Sequence, residues 1–285
     1  MVDPDAGLLY FLDIVGLAVF RVSLDRLDDP HAYERRTLPD EPGLVVPECS
    51  GPGTVLVGLP DGLYRFVWSS GELTRLCSLP ESAAPVRIND GACDADGRLW
   101  FGTMNRGPGE PAGMLYRFDG RALVCVDGPI ACWNGIDWSP DGRVMYATDT
   151  LGRAIRGYSM AGEVDVPEEG LRVAVPGGVA PGLPDGLVVD AVGGVWSALW
   201  DAGRVVRFNI EEGAATEDRS VRIAGSRPTA AAFLPDGSMV ITSAADDAGP
   251  GGLSLLSAAE FGGVSGRPRH CFGPRGARAG AAGVS

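Results

Sequence analysis

Apolar strands alternate with short Gly-containing turns along the chain, and this pattern repeats. An Asp or Pro-Asp turn with a Gly precedes an apolar run in DPDAGLLYFLD (3–13), DADGRLWFGT (94–103), SPDGRVMYATD (139–149), DAVGGVWSAL (190–199) and LPDGSMVITS (234–243), with a degenerate copy in GPGTVLVGL (51–59). The turn glycines of these segments are 46, 44, 45, 51 and 44 residues apart. Six units of near-constant length follow from this spacing.

Within a unit the side chains alternate between two faces, as in RVVRF, and no segment keeps helical spacing for long. The sequence therefore predicts an all-β protein. A period near 45 residues with several strands is typical of a β-propeller blade. We predict one six-bladed β-propeller domain over residues 1–272, with four-stranded antiparallel blades around a central channel, and a disordered tail over 273–285. A seven-bladed WD-type propeller is disfavoured, because only Trp200-Asp201 resembles its signature.

Charge and composition exclude several classes of function. The chain has no Lys, its 24 basic residues are all Arg, and 37 acidic residues give a net charge of −13. This acidity argues against nucleic-acid binding and against docking on anionic lipid. Without Lys there is no Schiff base and no Walker-type phosphate loop, and with only two His a three-His zinc site cannot form.

The cysteines and the apolar runs bear on location. None of the six Cys forms a CxxC pair, and no apolar run is long enough to span a membrane. The acidic start MVDPDAG predicts that there is no signal peptide. We expect reduced, mostly buried thiols and a cytoplasmic protein that is a monomer or a weak homo-oligomer.

Three predicted inner strands carry an Asn or Asp at the same position of the repeat. Asn89 and Asn134 are 45 residues apart, and Asp185 follows Asn134 by 51. Inner strands of a propeller line one channel, so these side chains are expected to meet. Oxygen ligands without His or Cys suit Ca²⁺, Mg²⁺ or Mn²⁺. The alternative for each residue alone is an ordinary Asn-Gly or Asp-Gly turn, which requires no shared phase.

Three segments carry a family resemblance: RINDGACDADGRLWFGTM (87–104), WNGIDWSPDGRVMYATDT (133–150) and PDGLVVDAVGGVWSALWDAGRVVRF (184–208). They are similar to the hallmark segments of the gluconolactonase, regucalcin (senescence marker protein) and luciferin-regenerating-enzyme family. That resemblance implies a six-bladed propeller with one divalent metal ion, Ca²⁺, Zn²⁺, Mg²⁺ or Mn²⁺, and hydrolysis of small sugar lactones. It also implies metal binding by Asn134 and Asp185, with Asp185 catalytic, and substrate contacts by Arg87 and Asn89, the latter close to the metal.

The chain departs from the family pattern in two places. The metal-ligand Glu of the family lies near the N-terminus, and its equivalent here would precede MVDPDAGLLYFLD. We therefore expect either that the start site is placed too late or that the site has lost a carboxylate. We also expect the first blade to be incomplete at its N-terminus. Water or Glu48 are the candidate substitutes. The carboxylate that some members have just after GTM is also missing, since Asn105, Arg106 and Gly107 stand there.

The sequence thus favours a metal-dependent lactonase that opens a small sugar-type lactone to the aldonic acid, impaired if the Glu is truly lost. The ion would act as a Lewis acid and Asp185 as the water-orienting base. One alternative is a non-catalytic propeller that binds a metal or ligand, or serves as a scaffold. The other is a related propeller esterase or phosphoesterase. A Ser hydrolase is disfavoured, because no GxSxG motif occurs.

Overall fold

The computed structural model describes residues 1–82, 84–160, 167, 169–174, 182–211, 213–247 and 249–273, with backbone only for 169–174. These residues form six small antiparallel sheets. The chain divides into two compact units, one of residues 1–127 and 269–285 and the other of residues 128–268. The predicted tail over 273–285 lies outside the described residues except for Gly273, and the single domain over 1–272 stays a prediction.

The first unit contains three four-stranded sheets, each with its strands in chain order. Their strands are β1 (Val2–Asp3), β2 (Leu8–Asp13), β3 (Ala18–Ser23), β4 (Glu34–Thr37), β5 (Leu44–Pro47), β6 (Thr54–Leu59), β7 (Gly62–Val67), β8 (Glu72–Ser78), β9 (Val86–Cys93), β10 (Leu99–Asn105), β11 (Gly113–Phe118) and β12 (Leu123–Ile130). A short 3-10 helix spans Leu24–Arg26. The first sheet, which we predicted to be incomplete, has four strands, and its strand β1 has two residues.

The second unit contains two four-stranded sheets and one three-stranded sheet, again in chain order. Their strands are β13 (Trp133–Trp138), β14 (Val144–Asp149), β15 (Ala154–Ser159), β16 (Glu169–Ala174), β17 (Leu183–Val189), β18 (Val195–Trp200), β19 (Arg204–Glu211), β20 (Ala214–Arg222), β21 (Pro228–Phe233), β22 (Met239–Ser243) and β23 (Gly252–Leu256). A second 3-10 helix spans Ala258–Phe261. The prediction of four strands per blade therefore holds for five sheets, and the described part of the sixth has three.

The repeated turns join the first two strands of a sheet. Gly142 and Gly237 adopt φ angles of 71° and 84° there, a left-handed conformation that Gly accepts without a steric penalty. Between the turns, apolar side chains pack sheet against sheet within each unit. Four of the six Trp are almost fully buried, as expected of residues that fill the space between blades: Trp68, Trp100, Trp133 and Trp196.

A buried carboxylate, Asp190, begins the turn after β17 and is the centre of a hydrogen-bond network. Asp190 is 0% exposed and accepts hydrogen bonds from the Arg207 Nε (2.7 Å), the Trp196 Nε1 (3.0 Å) and the Gly194 amide (2.9 Å). Burial acts to raise the pKa of Asp190, but the bonds from Arg207, Trp196 and Gly194 outweigh it and leave that pKa below its usual value. Arg207 is itself 7% exposed, so each charge depends on the other.

We expect Asp190→Ala to destabilise the fold by about 3 kcal/mol or more, because it leaves the Arg207 charge buried without this partner. Urea unfolding at pH 7 measures the effect. Because the folded-state pKa is the lower one, the contribution of the ionised Asp190 is complete above its unfolded pKa of about 4 and is lost as pH falls through the folded value. The exposed Asp141→Asn is the control. Equal stability of Asp190→Ala and wild type would contradict this account.

The cysteines require one correction. We expected six reduced thiols, but Cys49 and Cys271 form a disulfide with a Cα–Cα distance of 5.1 Å. The segment around Cys271 lies against the end of β5, where the Phe272 amide donates to the Pro47 carbonyl and the Cys49 amide to the Phe272 carbonyl, both at 2.8 Å. Sequence spacing gave no sign of this pair, since its members are 222 residues apart. Cys93 and Cys132 are buried as predicted, whereas Cys77 is half-buried and Cys125 is exposed.

Neither helical segment in the described residues has the length and apolarity needed to cross a membrane. The thiol argument for a cytoplasmic location is removed by the disulfide, and cytoplasmic location and oligomeric state stay predictions.

Candidate functional site

Four sheets share an irregularity at the same point of their first strand. The register of each strand against its neighbour shifts by one residue there, which is a β-bulge. The residues at or beside the bulge are Asn89, Asn134, Asp185 and Thr229, each four positions before the last residue of its strand. A bulge turns side chains away from the regular pleat. The equal phase read from the sequence therefore corresponds to an equivalent backbone feature.

In the second unit these bulges lie against one another. A Cβ atom on Gly135 would be 2.1 Å from the Leu187 N and 2.9 Å from the Asp185 O, and one on Gly186 would be 2.6 Å from the Thr229 O. Only glycine permits such close approach of neighbouring backbones. The first strands β13, β17 and β21 thus converge at their bulges, which brings the positions of Asn134, Asp185 and Thr229 together.

The Asn134 amide is held in one orientation. Its residue is 7% exposed, its Nδ2 donates to the Thr150 Oγ1 at 3.2 Å, and its Oδ1 accepts from the Gly135 amide at 3.1 Å. An amide oxygen has two acceptor sites. Asn134 therefore has a fixed carbonyl oxygen with acceptor capacity beyond its bond to Gly135.

A second carboxylate ties β13 to β17. Asp137 is 4% exposed; its Oδ2 accepts from the Val189 amide at 2.8 Å and its Oδ1 from the Arg267 Nη2 at 3.0 Å. The bond from Val189 fixes the distance between β13 and β17. Asp137 is three residues from Asn134, and Val189 is four residues from Asp185. Asp137 is a positioning residue that the sequence reasoning missed.

The other two predicted site residues lie in the first unit, on β9. Arg87 is half-buried, and its Nη1 donates to the Ile88 carbonyl at 3.0 Å. Asn89 is the extra residue of the β9 bulge, because Ile88 pairs with Thr103 and Asp90 with Gly102. Burial raises the pKa of the neighbouring Asp90 to about 6, while the Gly91 amide and the Arg269 charge oppose that rise. Asp90 was not among the predicted site residues.

The residues after Met104 have structural partners of their own. The Asn105 side chain accepts from the Ala112 amide at 3.0 Å and donates to the Glu110 carbonyl at 2.9 Å. Arg106 forms an ion pair with Glu41 at 3.1 Å. A neutral and a basic side chain thus follow Met104, in the stretch where the resemblance implied a carboxylate.

Glu48 does not serve as the substitute ligand that we expected. It follows the last residue of β5 and accepts from the Arg65 Nε at 2.9 Å. The residue equivalent to Asn89 is Gly43, directly before β5, and a Cβ atom added to it would be 1.8 Å from the Ile88 carbonyl oxygen. Glu48 therefore lies at the opposite end of its strand from the bulge positions, which excludes this hypothesis.

The donor chemistry at the converging bulges fits a hard divalent ion. Asn134 and Asp185 offer an amide oxygen and a carboxylate, the ligands that such ions prefer. Within the described residues no group of three or more His, Cys, Asp or Glu is arranged to hold a metal ion. Of the residues at the converging bulges, Asp185 offers a carboxylate to such an ion, and Asn134 and Thr229 offer neutral oxygens.

Residues 1–245 match the family described as the SMP-30/Gluconolactonase/LRE-like region. The chain belongs to this family. L-arabinolactonase of Azospirillum brasilense is 33% identical over 265 residues, covering 86% of this chain and 82% of that protein. The 6-deoxy-6-sulfogluconolactonase of Pseudomonas putida is 33% identical over 207 residues, a match that covers 70% of this chain and 67% of that protein.

Solved structures of the SMP-30/Gluconolactonase/LRE-like family share the fold. A luciferin-regenerating enzyme superposes with a TM-score of 0.83 at 22% identity, covering 95% of this chain and 92% of that one. A regucalcin from Agrobacterium tumefaciens, described as a calcium-binding protein, gives 0.81 at 26% identity, covering 95% and 91%. The predicted six-bladed β-propeller is confirmed, and so is the family resemblance.

Proposed function

We propose that this protein is a metal-dependent hydrolase that opens a small sugar-type lactone to its aldonic acid. The observation that carries the proposal is the convergence of the Asn134 and Asp185 bulges on neighbouring strands in a chain whose relatives are named lactonases. An oriented amide oxygen and a carboxylate are the groups that a hydrolytic metal centre needs from the protein.

In this proposal Asn134 and Asp185 hold the ion, and Asn89 as a further ligand stays a prediction drawn from the family resemblance. When bound, a divalent cation (Ca²⁺, Zn²⁺, Mg²⁺ or Mn²⁺) supplies Lewis-acid stabilisation of the charge that develops on the lactone carbonyl oxygen. Asp185 orients the attacking water and accepts its proton. The new bond joins the water oxygen to the carbonyl carbon, and the bond between that carbon and the ring oxygen breaks. The ring oxygen takes the proton from Asp185 and becomes a hydroxyl of the acid, which restores the Asp185 carboxylate.

Arg87 has the second role. Its planar fork donates several hydrogen bonds and stays charged at every relevant pH. We assign it to the substrate's oxygens, with Asn89 beside it on β9. Both residues belong to the first unit, and their substrate contacts stay predictions drawn from the family resemblance.

Removal of the metal tests the proposal. We expect dialysis against a chelator to lower the rate of opening of an arabinono- or gluconolactone by at least about 100-fold, because Lewis-acid stabilisation contributes several kcal/mol. Adding back one of the four ions should restore the rate, measured by acid release with a pH indicator. Full turnover in protein shown by metal analysis to be metal-free would overturn metal dependence. Metal binding without turnover of lactones or phosphoesters would favour the non-catalytic alternative.

A further inference from the structure

An aromatic, an acidic and a basic residue cluster beside the converging bulges of the second unit. Trp200 ends β18 and pairs with Leu183, two residues before Asp185 on β17. Arg227 directly precedes β21, two residues before Thr229. Thr229 and Asp185 occupy equivalent bulge positions. Trp200 and Arg227 therefore lie at the same end of their sheets, each level with the residue two positions before the bulge residue.

The cluster holds Arg227 in place on two sides. Its guanidinium lies 5.3 Å from the centre of the Trp200 ring, and its Nε donates to the Asp201 Oδ1 at 2.8 Å. Its Nη1 donates to the Ala245 carbonyl at 3.2 Å. The side chains of Arg227 and Asp201 are nevertheless 37% and 57% exposed. An arginine anchored through Nε and Nη1 presents its remaining N–H groups with little entropy left to lose.

The charges around Arg227 are mostly negative. The hydrogen bond to Asp201 is the main cause that raises the Arg227 pKa, and the nearby charges of Asp246 and Asp247 add to it. Three carboxylates around one guanidinium disfavour an anionic group. Neutral hydroxyls are suited to this setting, because they donate to carboxylates and accept from the guanidinium.

We propose that Trp200, Asp201 and Arg227 form a wall that selects lactones by their neutral ring and side-chain hydroxyls. This rests on the proposed function, since it assigns the substrate class of that site: neutral polyhydroxylated lactones, in preference to lactones that carry a phosphate or sulfonate. Arg227 and Asp201 make the hydrogen bonds, and Trp200 supports the guanidinium from one face.

The test compares Arg227→Gln with wild type on two substrates of the same ring size, gluconolactone and the unsubstituted δ-valerolactone. We expect kcat/KM for gluconolactone to fall about tenfold or more through KM, the loss for one charge-assisted hydrogen bond. We expect the rate for δ-valerolactone to change by less than about twofold, since that ring has no hydroxyls to bind. Wild type should also have a higher kcat/KM for gluconolactone than for its 6-phospho derivative, and Asp201→Asn should lower the ratio of these two values.

Arg75→Gln is the matched control. Arg75 lies 5.2 Å over the Tyr64 ring and pairs with Asp61, but it belongs to β8, the last strand of its sheet. It should leave both substrates unaffected. An equal loss on both lactones in Arg227→Gln would mean that Arg227 only supports the structure, and an unchanged KM would also overturn the proposal.

A binding measurement separates this proposal from the proposed function. Sorbitol carries hydroxyls but cannot be hydrolysed, and calorimetry reports its affinity directly. If wild type opens no lactone, the proposed function fails. The wall is then still supported by sorbitol binding that weakens in Arg227→Gln and not in Arg75→Gln, and it is overturned when sorbitol does not bind or binds both variants equally.

Discussion

Replacing Asp185 by Ala is expected to lower lactone opening by at least about 1,000-fold while the protein stays folded. Among the converging bulge positions of the second unit, Asn134 and Thr229 are neutral, so Asp185 supplies the carboxylate there. Its loss removes a metal ligand and the base that orients the water at once. The measurement is kcat/KM for gluconolactone at saturating metal, with circular dichroism to verify folding.

Two further variants sharpen this prediction. Asp185→Asn keeps the shape and an oxygen donor but cannot accept a proton, so it should retain measurable metal affinity and still lose turnover. Asp141→Asn removes a carboxylate from the turn between β13 and β14, at the far end of the sheet from Asn134. It should act like wild type. Turnover by Asp185→Ala within tenfold of wild type would remove Asp185 from the mechanism.

The repeat made the fold predictable, because five similar spacings between six turn glycines constrain topology more tightly than any single strand does. The same spacing identified Asn89, Asn134 and Asp185 as equivalent. It did not reveal the bulge that they share, since a bulge is a difference in register between two strands and neither strand encodes it alone. No role was predicted for Gly135 and Gly186, whose lack of a side chain lets neighbouring backbones approach.

The errors have a common physical origin in contacts between distant parts of the chain. Glu48 was a plausible ligand by residue type, but β5 points it toward Arg65 at the wrong end. The turn residue Asp190 became the centre of a network with Arg207 and Trp196. Such partners are chosen by tertiary packing, and local sequence spacing carries no record of them.

Removing the disulfide between Cys49 and Cys271 is the second change with a large expected effect. The bond closes a loop with a sequence separation of 222 residues, and chain-entropy arguments give about 5 kcal/mol for a loop of that length. We expect Cys271→Ser to lower the melting temperature by about 10 °C. Activity at 25 °C should change little, because the bond lies beyond the last residue of β5, at the other end from Gly43 and the β9 bulge.

Reductant provides the internal check on that result. Dithiothreitol should lower the melting temperature of the wild type to that of Cys271→Ser and leave the variant unchanged. Cys125→Ser removes an exposed free thiol and should match the wild type with and without reductant. If reductant has no effect on the wild type, the covalent bond contributes nothing, and noncovalent contacts hold the segment in place, among them those of Phe272 with the Pro47 carbonyl and with the Phe118 ring. Cys271→Ser, which leaves those contacts intact, would then have the melting temperature of the wild type. The disulfide is a source of stability only if reductant and the substitution lower the melting temperature by the same amount.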